Sequence, residues 1–250
     1  MNLSEFFSEN PKVAIAFSGG VDSAYLLCEA VKNGAEVCAY YVFSAFQPDF
    51  EREDARRIAF HLGAKMKELE VDVLCDPSIS SNPPGRCYYC KKKILSKIIS
   101  EAQKDGFTTV LDGTNASDLV SDRPGFKALG ELKVLSPLRL CGLTKAMIRE
   151  RSREAGLFTW NKGAYACLAT RIPTGEEITE EKLECTEKAE AFLFSLGFKD
   201  FRVRYFNGYA RIQVLQSDFN RLCDSREVIN RELCKYYKGV LLDMEGRNEQ

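Results

Sequence analysis

The sequence has little histidine, no long apolar run and almost no net charge, and each shortage excludes a class of protein. The 250 residues contain one histidine, His61, which argues against multi-histidine metal sites and most Ser–His or Cys–His relays. No apolar run approaches the roughly 20 residues that a membrane-spanning helix needs. A net charge of −1 gives no sign of a surface built to bind nucleic acid or an anionic membrane.

Cysteine, in contrast, is abundant. The chain starts at Met1 without a basic segment or a long apolar stretch, so we expect a cytoplasmic protein. Ten cysteines in a chain of this length are not typical of the disulfide framework of a small secreted domain. Some of them should therefore be core thiols, and others metal ligands or nucleophiles.

Apolar runs and helical patterns alternate over the first 160 residues. Strands are predicted over residues 13–17, 37–43, 65–71 and 109–111, and helices over 23–33, 51–62, 90–105 and 143–155. This alternation is typical of an α/β fold, with a parallel sheet that carries helices on both faces.

The pattern changes in the last third of the chain. An irregular stretch over residues 157–178 leads to a helix that begins after Thr179, and two later strands flank a hairpin turn at Asn207-Gly208. A further helix is predicted over residues 225–237. We predict two domains, 1–174 and 175–250, of which the second is a small α+β domain for substrate binding or oligomerisation.

The strongest motif is the string Ser18-Gly19-Gly20-Val21-Asp22-Ser23, between the first strand and the first helix. Glycines let the backbone approach a phosphate, and a helix N-terminus offers N–H groups and a positive dipole end. Ser18 and Ser23 can add hydroxyl donors, and Asp22 can hold Mg²⁺ or a loop donor. The string is neither a Walker A loop nor a GxGxxG motif. Without a ligand it would be an ordinary glycine turn.

Three cysteines stand out from the other seven. Cys87 and Cys90 form a Cys-x-x-Cys pair, and Cys167 precedes Leu-Ala-Thr-Arg. A zinc site would need a fourth ligand, whereas three thiolates suit a [4Fe–4S] cluster with one open iron. Arg86 and the lysines at 91–93 would lower nearby thiol pKa values. The alternative is that the pair consists of ordinary thiols at a helix start.

Further candidate residues lie at a strand end and in the second domain. Asp112 and Asn115 follow a strand, where ligands collect in open parallel sheets, although their string also suits a simple turn. Glu190 lies on an apolar helix stripe, so its carboxylate must be ion-paired or bound to a cation. Arg202 and Arg204 share one strand face and can clamp a phosphate, or simply face solvent.

Several strings together resemble one family. The loop 18–23 resembles the PP-loop of ATP pyrophosphatases, and the whole set is similar to the ATP-dependent sulfur transferases that mature the nickel-pincer nucleotide cofactor of lactate racemase (LarE-like). The matching strings lie at residues 18–23, 82–91, 112–125, 167–173, 202–204 and 210–212.

The resemblance implies an enzyme that uses ATP and Mg²⁺ to adenylate the carboxylates of pyridinium-3,5-biscarboxylic acid mononucleotide and converts them to thiocarboxylates. The sulfur would come from a sulfide on a [4Fe–4S] cluster held by Cys87, Cys90 and Cys167, or from Cys167 itself, sacrificially. The resemblance also implies a sulfur donor and a homo-oligomer.

The resemblance further implies that Asp118 and Arg123 lie near the active site and that Arg202 and Arg204 contribute a phosphate- or metal-binding patch. Arg171 could assist the adenylate. The sequence departs from the family at Gln213, where the family tends to carry Glu, and a neutral amide cannot replace the charge of a carboxylate in an acidic metal patch.

Two rival functions stay open. A tRNA thiolase of the same superfamily also pairs a PP-loop with three cysteines, but the only basic patch here is a short one around residues 86–97. A nucleotide-binding regulator or iron–sulfur carrier would not consume ATP.

Overall fold

The computed structural model describes residues 1–118, 125–163 and 165–247. The strands are β1 (Lys12–Phe17), β2 (Glu36–Phe43), β3 (Lys65–Glu70), β4 (Thr109–Asp112), β5 (Phe201–Phe206), β6 (Tyr209–Val214) and β7 (Val240–Leu242). The helices are α1 (Leu3–Glu9), α2 (Val21–Lys32), α3 (Asp49–His61), α4 (Pro77–Ser80), α5 (Arg86–Lys104), α6 (Gly125–Glu131), α7 (Pro137–Leu140), α8 (Lys145–Glu154), α9 (Glu180–Ser195), α10 (Phe219–Asp224) and α11 (Arg226–Leu233).

The chain forms two compact units. The N-terminal unit comprises Met1–Val73 and Gly85–Lys162, and the C-terminal unit comprises Leu74–Pro84 and Gly163–Gln250. The sequence predicts a boundary between residues 174 and 175, whereas the compact units separate after Lys162 and the C-terminal unit also takes a short earlier segment.

The N-terminal unit is built on a parallel four-stranded sheet in the order β3-β2-β1-β4. Val13, Ile15 and Phe17 of the central strand β1 are buried, because helices flank the sheet. In the register of the sheet, Ala16 pairs with both Tyr40 and Asp112. The α/β fold is thus confirmed, and the carboxyl ends of β1 and β4 lie side by side.

The C-terminal unit contains a three-stranded mixed sheet in the order β5-β6-β7. Its first two strands form the predicted hairpin, and both residues of the turn, Asn207 and Gly208, have positive φ (51° and 89°). Helix α11 ends at Leu233, earlier than predicted, because the chain turns so that Lys238 N–H reaches the Gly208 carbonyl.

The segment 74–84 belongs to the C-terminal unit through hydrogen bonds rather than through a strand. The Asn82 side chain donates to the carbonyls of Ile172 and Pro173, and the Asn82 carbonyl accepts from Gly175 N–H. These contacts also bind part of the irregular stretch 157–178 to this unit, which is why the compact unit begins before residue 175.

None of the helices in the described ranges is long and apolar enough to cross a membrane.

Candidate active site

The loop between β1 and α2 has the geometry of an anion cradle. Gly19 has φ +71°, and a Cβ built on it would lie 3.1 Å from the Cβ of Ala55 on α3, so glycine is required there. Gly20 is the N-cap of α2, and no described side chain caps this helix. The first N–H groups of α2 are therefore available to an anion.

The two serines of this loop are bonded to each other across the turn. The Oγ atoms of Ser18 and Ser23 lie 3.1 Å apart, and Ser23 Oγ also donates to the Gly20 carbonyl. Ser18 N–H points to Ser23 Oγ at 3.3 Å. These bonds fix the loop conformation before any ligand arrives.

Asp22 joins the loop to two other elements. Its Oδ2 lies 2.5 Å from Lys145 Nζ at the start of α8, and its Oδ1 accepts from Asn115 Nδ2 at 3.4 Å. The side chains of Asp22 and Lys145 are 23% and 34% exposed, so both charges remain accessible to a ligand.

Asp112 is buried at the end of β4 and organises the neighbouring turn. Thr114 Oγ1 and Ser136 Oγ each donate to its carboxylate at 2.6 Å, and Lys91 Nζ of α5 lies 3.3 Å away. Its oxygens are thus already used by donors of the chain. Asp112 therefore holds the turn and Lys91, and its predicted contact with a cofactor stays a prediction.

The next polar residues continue this turn. Asp118 Oδ2 accepts from Asn115 N–H at 3.0 Å, and Asn115 Oδ1 accepts from Ser117 N–H. Asn115 is buried and its side chain contacts Asp22 of the loop, and its predicted role in cofactor binding stays a prediction. Arg123 lies outside the described residues.

Sequence reasoning missed two cations of this site, Lys145 and Lys91. Lys145 follows Thr144, whose side chain caps α8, so a helix N-terminus was readable there. In the sequence, Lys91 stands out only because it is next to Cys90. No local pattern shows that these lysines reach Asp22 and Asp112, because both contacts join distant parts of the chain.

Cys87 and Cys90 lie in the first two turns of α5. A spacing of three residues places both thiols on one face of the helix. Arg86 Nη2 lies 3.8 Å from Cys87 Sγ, and Cys87 is exposed while Cys90 is half-buried.

Cys167 belongs to the C-terminal unit, in a loop that is anchored on both sides. Its carbonyl accepts from Thr170 N–H and Thr170 Oγ1, and the Ala166 carbonyl accepts from Arg171 Nη1 at 2.9 Å. Arg204 Nη1 of β5 donates to the Thr170 carbonyl at 2.9 Å. The loop 166–171 is therefore fixed to the body of its unit.

Glu190 is buried and ion-paired. Its side chain is 2% exposed, and Arg171, 1% exposed, donates to it from Nε at 2.8 Å and from Nη2 at 3.0 Å. Tyr165 OH and the Val203 N–H donate to the same carboxylate. Of the two possibilities that the sequence left open, the structure shows the ion pair. The charge that a cation would supply at Glu190 comes from Arg171.

A cluster of arginines surrounds this pair. Arg202 is buried rather than solvent-facing, and Arg204 is half-buried. Burial lowers the pKa of both guanidiniums, and the positive charges of Arg171 and Arg247 lower them further. Such mutual repulsion marks a place where a bound anion is stabilising.

Gln213 occupies the position of the missing carboxylate. Its Oε1 accepts from Arg204 Nε at 2.6 Å, and its Nε2 donates to Asp243 Oδ2 at 2.8 Å. A glutamate there would face Asp243 with like charge. The amide links a cation and an anion of the chain instead.

Within the ranges 1–118, 125–163 and 165–247, no group of three or more His, Cys, Asp or Glu side chains is placed to hold a metal ion.

Comparison with known proteins identifies the family. The chain is 34% identical over 238 residues to the pyridinium-3,5-bisthiocarboxylic acid mononucleotide synthase of Lactiplantibacillus plantarum, covering 94% of this chain and 86% of that protein. It is also 34% identical over 254 residues to an uncharacterized protein of Synechocystis, covering 98% and 93%. A tRNA-specific 2-thiouridylase of Clostridium botulinum is 34% identical over 112 residues, only 37% of this chain and 31% of that protein. No protein-family profile matches the chain. The near-full-length match to the synthase shows that the chain belongs to the LarE-type family of PP-loop, ATP-dependent sulfurtransferases.

Proposed function

We propose that this enzyme adenylates the carboxylates of pyridinium-3,5-biscarboxylic acid mononucleotide and converts them to thiocarboxylates. The carrying observation is that one chain combines a preformed anion cradle beside Asp22 and Lys145 with an anchored loop that presents Cys167. The relative from Lactiplantibacillus plantarum is named for a bisthiocarboxylic product of the same mononucleotide type.

The N-terminal unit would bind ATP and form the adenylate. The N–H groups at the start of α2 would hold phosphate oxygens, and Lys145 would neutralise the departing pyrophosphate. The substrate carboxylate attacks the α-phosphorus, and the bond to pyrophosphate breaks. Mg²⁺ is usually held by one or two carboxylates together with substrate phosphates, which fits the partly exposed Asp22.

The three cysteines would supply the sulfur. Cys87, Cys90 and Cys167 would hold a [4Fe–4S] cluster, which would supply the sulfur for transfer. The exposed pair on α5 beside Arg86 fits two of the three ligand positions. The acyl carbon of the adenylate gains a bond to sulfur, and AMP leaves with the electron pair of the broken C–O bond.

Sacrifice of Cys167 is the rival route within the same function. The Cys167 thiolate would attack the adenylate and form a thioester. Loss of the Cα proton would then break the Cβ–Sγ bond and leave dehydroalanine. With the cluster, a second round on the same chain would thiolate the second carboxylate. The sacrificial route consumes Cys167, so a second chain would supply the second sulfur.

The arginines of the C-terminal unit would bind the phosphate of the mononucleotide. Arg202 and Arg204 carry pKa values lowered by burial and by neighbouring guanidiniums, so an added anion relieves their repulsion. A sulfur donor that renews the cluster and a homo-oligomeric assembly complete the proposal.

The test is a single incubation with ATP, Mg²⁺, the biscarboxylic mononucleotide and sulfide under anaerobic conditions. We expect AMP, pyrophosphate and the thiocarboxylate in equal amounts, with the product identified by its mass. Cys167→Ser should abolish thiolation by either route, whereas Cys223→Ser, an exposed cysteine on α10, should leave it intact. Thiolation of tRNA but not of the mononucleotide would replace this function with the tRNA thiolase.

A visible spectrum with iron and sulfide analysis separates the two routes. Roughly four irons per chain, lost in Cys87→Ala, would support the cluster. An iron-free active protein in which the mass of Cys167 falls to that of dehydroalanine would support the sacrificial route.

A further inference from the structure

The ion pair of Glu190 and Arg171 is the most deeply buried charge pair that the described residues form. A carboxylate has about four acceptor positions. Glu190 fills them with Arg171 Nε and Nη2, Tyr165 OH and Val203 N–H. A divalent cation would have to displace these donors, so the carboxylate does not fit the role of a cation ligand.

Arg171 connects Glu190 to the loop that contains Cys167. With Nε and Nη2 on Glu190, its Nη1 donates to the Ala166 carbonyl at 2.9 Å and to Thr170 Oγ1 at 2.8 Å. Thr170 in turn donates to the Cys167 carbonyl. The peptide groups on both sides of Cys167 are thus tied, through one guanidinium, to helix α9.

We infer that Glu190 is a positioning residue for Cys167, acting through Arg171, and not a ligand of a divalent cation. The inference rests on the proposed function in one respect, namely that Cys167 is the sulfur-bearing residue. Its structural content, the anchorage of the loop 166–171, stands without it.

The energetics of buried ion pairs favour this role over one in stability alone. Replacing such a pair by apolar side chains of similar volume is often neutral or stabilising. A buried pair therefore needs another reason to be kept. A reacting group must be held to about 0.5 Å by residues that are themselves locked, and the Glu190–Arg171 pair does this for the Cys167 loop.

The experiment measures the rate at which iodoacetamide alkylates Cys167, resolved by peptide mass spectrometry, in the metal-free protein. Cys223 on α10 is exposed in the same unit and serves as the internal reference. Glu190→Gln keeps the shape and removes the charge. Arg171→Met with Glu190→Leu removes the pair without leaving a buried charge, in case the single variant fails to fold.

We expect Cys167 to be alkylated about tenfold faster in either folded variant, because the half-buried thiol is released when the loop opens locally. Glu184→Gln, the same substitution at an exposed position of α9, should change nothing. An unchanged Cys167 rate in the folded double variant would overturn the inference. So would Mn²⁺ binding by the wild-type protein that disappears with Glu190.

Alkylation needs neither ATP nor substrate, so it separates this inference from the proposed function. If the wild-type enzyme transfers no sulfur while the rate rises as expected, the function fails and the positioning role stands. If sulfur transfer is confirmed, Glu190→Gln should lower kcat with the KM for ATP unchanged.

Discussion

The two units use an acid–base pair in opposite ways. Asp22 and Lys145 of the N-terminal unit lie at a loop and are 23% and 34% exposed, whereas Arg171 and Glu190 are 1% and 2% exposed. An exposed pair contributes little to stability and can exchange its partner for a ligand. A buried pair cannot exchange partners without leaving an uncompensated charge. The exposed pair is therefore suited to ligand binding, whereas the buried pair is suited to a structural role.

Arg171→Met should have the largest effect on folding. The substitution leaves Glu190 buried without its counter-charge, so the free energy of unfolding should fall by about 3–5 kcal/mol. Urea unfolding followed by circular dichroism measures the change. Lys188→Met, which removes an exposed ion pair on α9, should leave the free energy of unfolding almost unchanged. An equal loss in the free energy of unfolding in both variants would contradict the difference between the buried and the exposed pair.

Lys145→Met should instead affect catalysis. Loss of a cation at the departing pyrophosphate should lower kcat/KM for ATP by about 10²–10³, with the free energy of unfolding changed by less than about 1 kcal/mol. Pyrophosphate release measures the first quantity and urea unfolding the second. Lys32→Met at the opposite end of α2 is the matched control and should leave both unchanged. A fully active Lys145→Met enzyme would remove this lysine from the site.

Gly19→Ala tests the loop itself. The left-handed φ of +71° should cost about 1–2 kcal/mol for a residue with a Cβ, and the contact with Ala55 adds to this cost. The matched control is Gly130→Ala in α6, where the added Cβ has no described atom within 4 Å apart from its chain neighbours and the nearby backbone of its own helix. That substitution should stabilise the protein by about 0.5–1 kcal/mol. Thermal unfolding should therefore move in opposite directions for the two alanines.

The smallest effect concerns pH. Burial, and then the charge of Glu190, raise the pKa of Tyr165 well above its ordinary value of about 10. The unfolded chain loses this proton above pH 10 while the folded chain keeps it. Its contribution to stability is therefore complete below pH 10 and is lost above it, at up to about 1.4 kcal/mol per pH unit.

Tyr165→Phe isolates this contribution. At pH 8 the variant should be less stable than the wild type by about 1 kcal/mol, because the hydrogen bond to Glu190 is gone. Above pH 10 the two proteins should converge. Unfolding midpoints in urea at the two pH values measure the difference, and parallel pH profiles would refute the assignment.

Local patterns predicted the elements well where their signals are local. The hydrophobic runs gave the four parallel strands, Thr179 caps α9, and Asn207-Gly208 turns the hairpin. Helix α1 was missed although Asn2 and Glu5 form a capping box in the sequence. The sequence therefore does contain a start signal for this helix.

The candidate site divides in the same way. The glycine loop could be predicted because strand, glycines and helix start are contiguous. The partner of Glu190 could not, because Arg171 lies 19 residues earlier and the pairing depends on how α9 packs. Lys145 reaches Asp22 across 123 residues for a similar reason. The helical periodicity places Glu190 on the apolar face of α9 and predicts that its carboxylate has a positively charged partner. Only the fold shows that this partner is Arg171.

The segment Leu74–Pro84 has a consequence for how this protein can be divided or recombined. The backbone passes from one compact unit to the other three times, after Val73, Pro84 and Lys162. No single cut therefore releases an intact C-terminal unit, and a chimaera with a relative must exchange two separate stretches of sequence together. Because of this chain topology, recombination at a single point cannot exchange one unit without the other, whatever each contributes to the reaction.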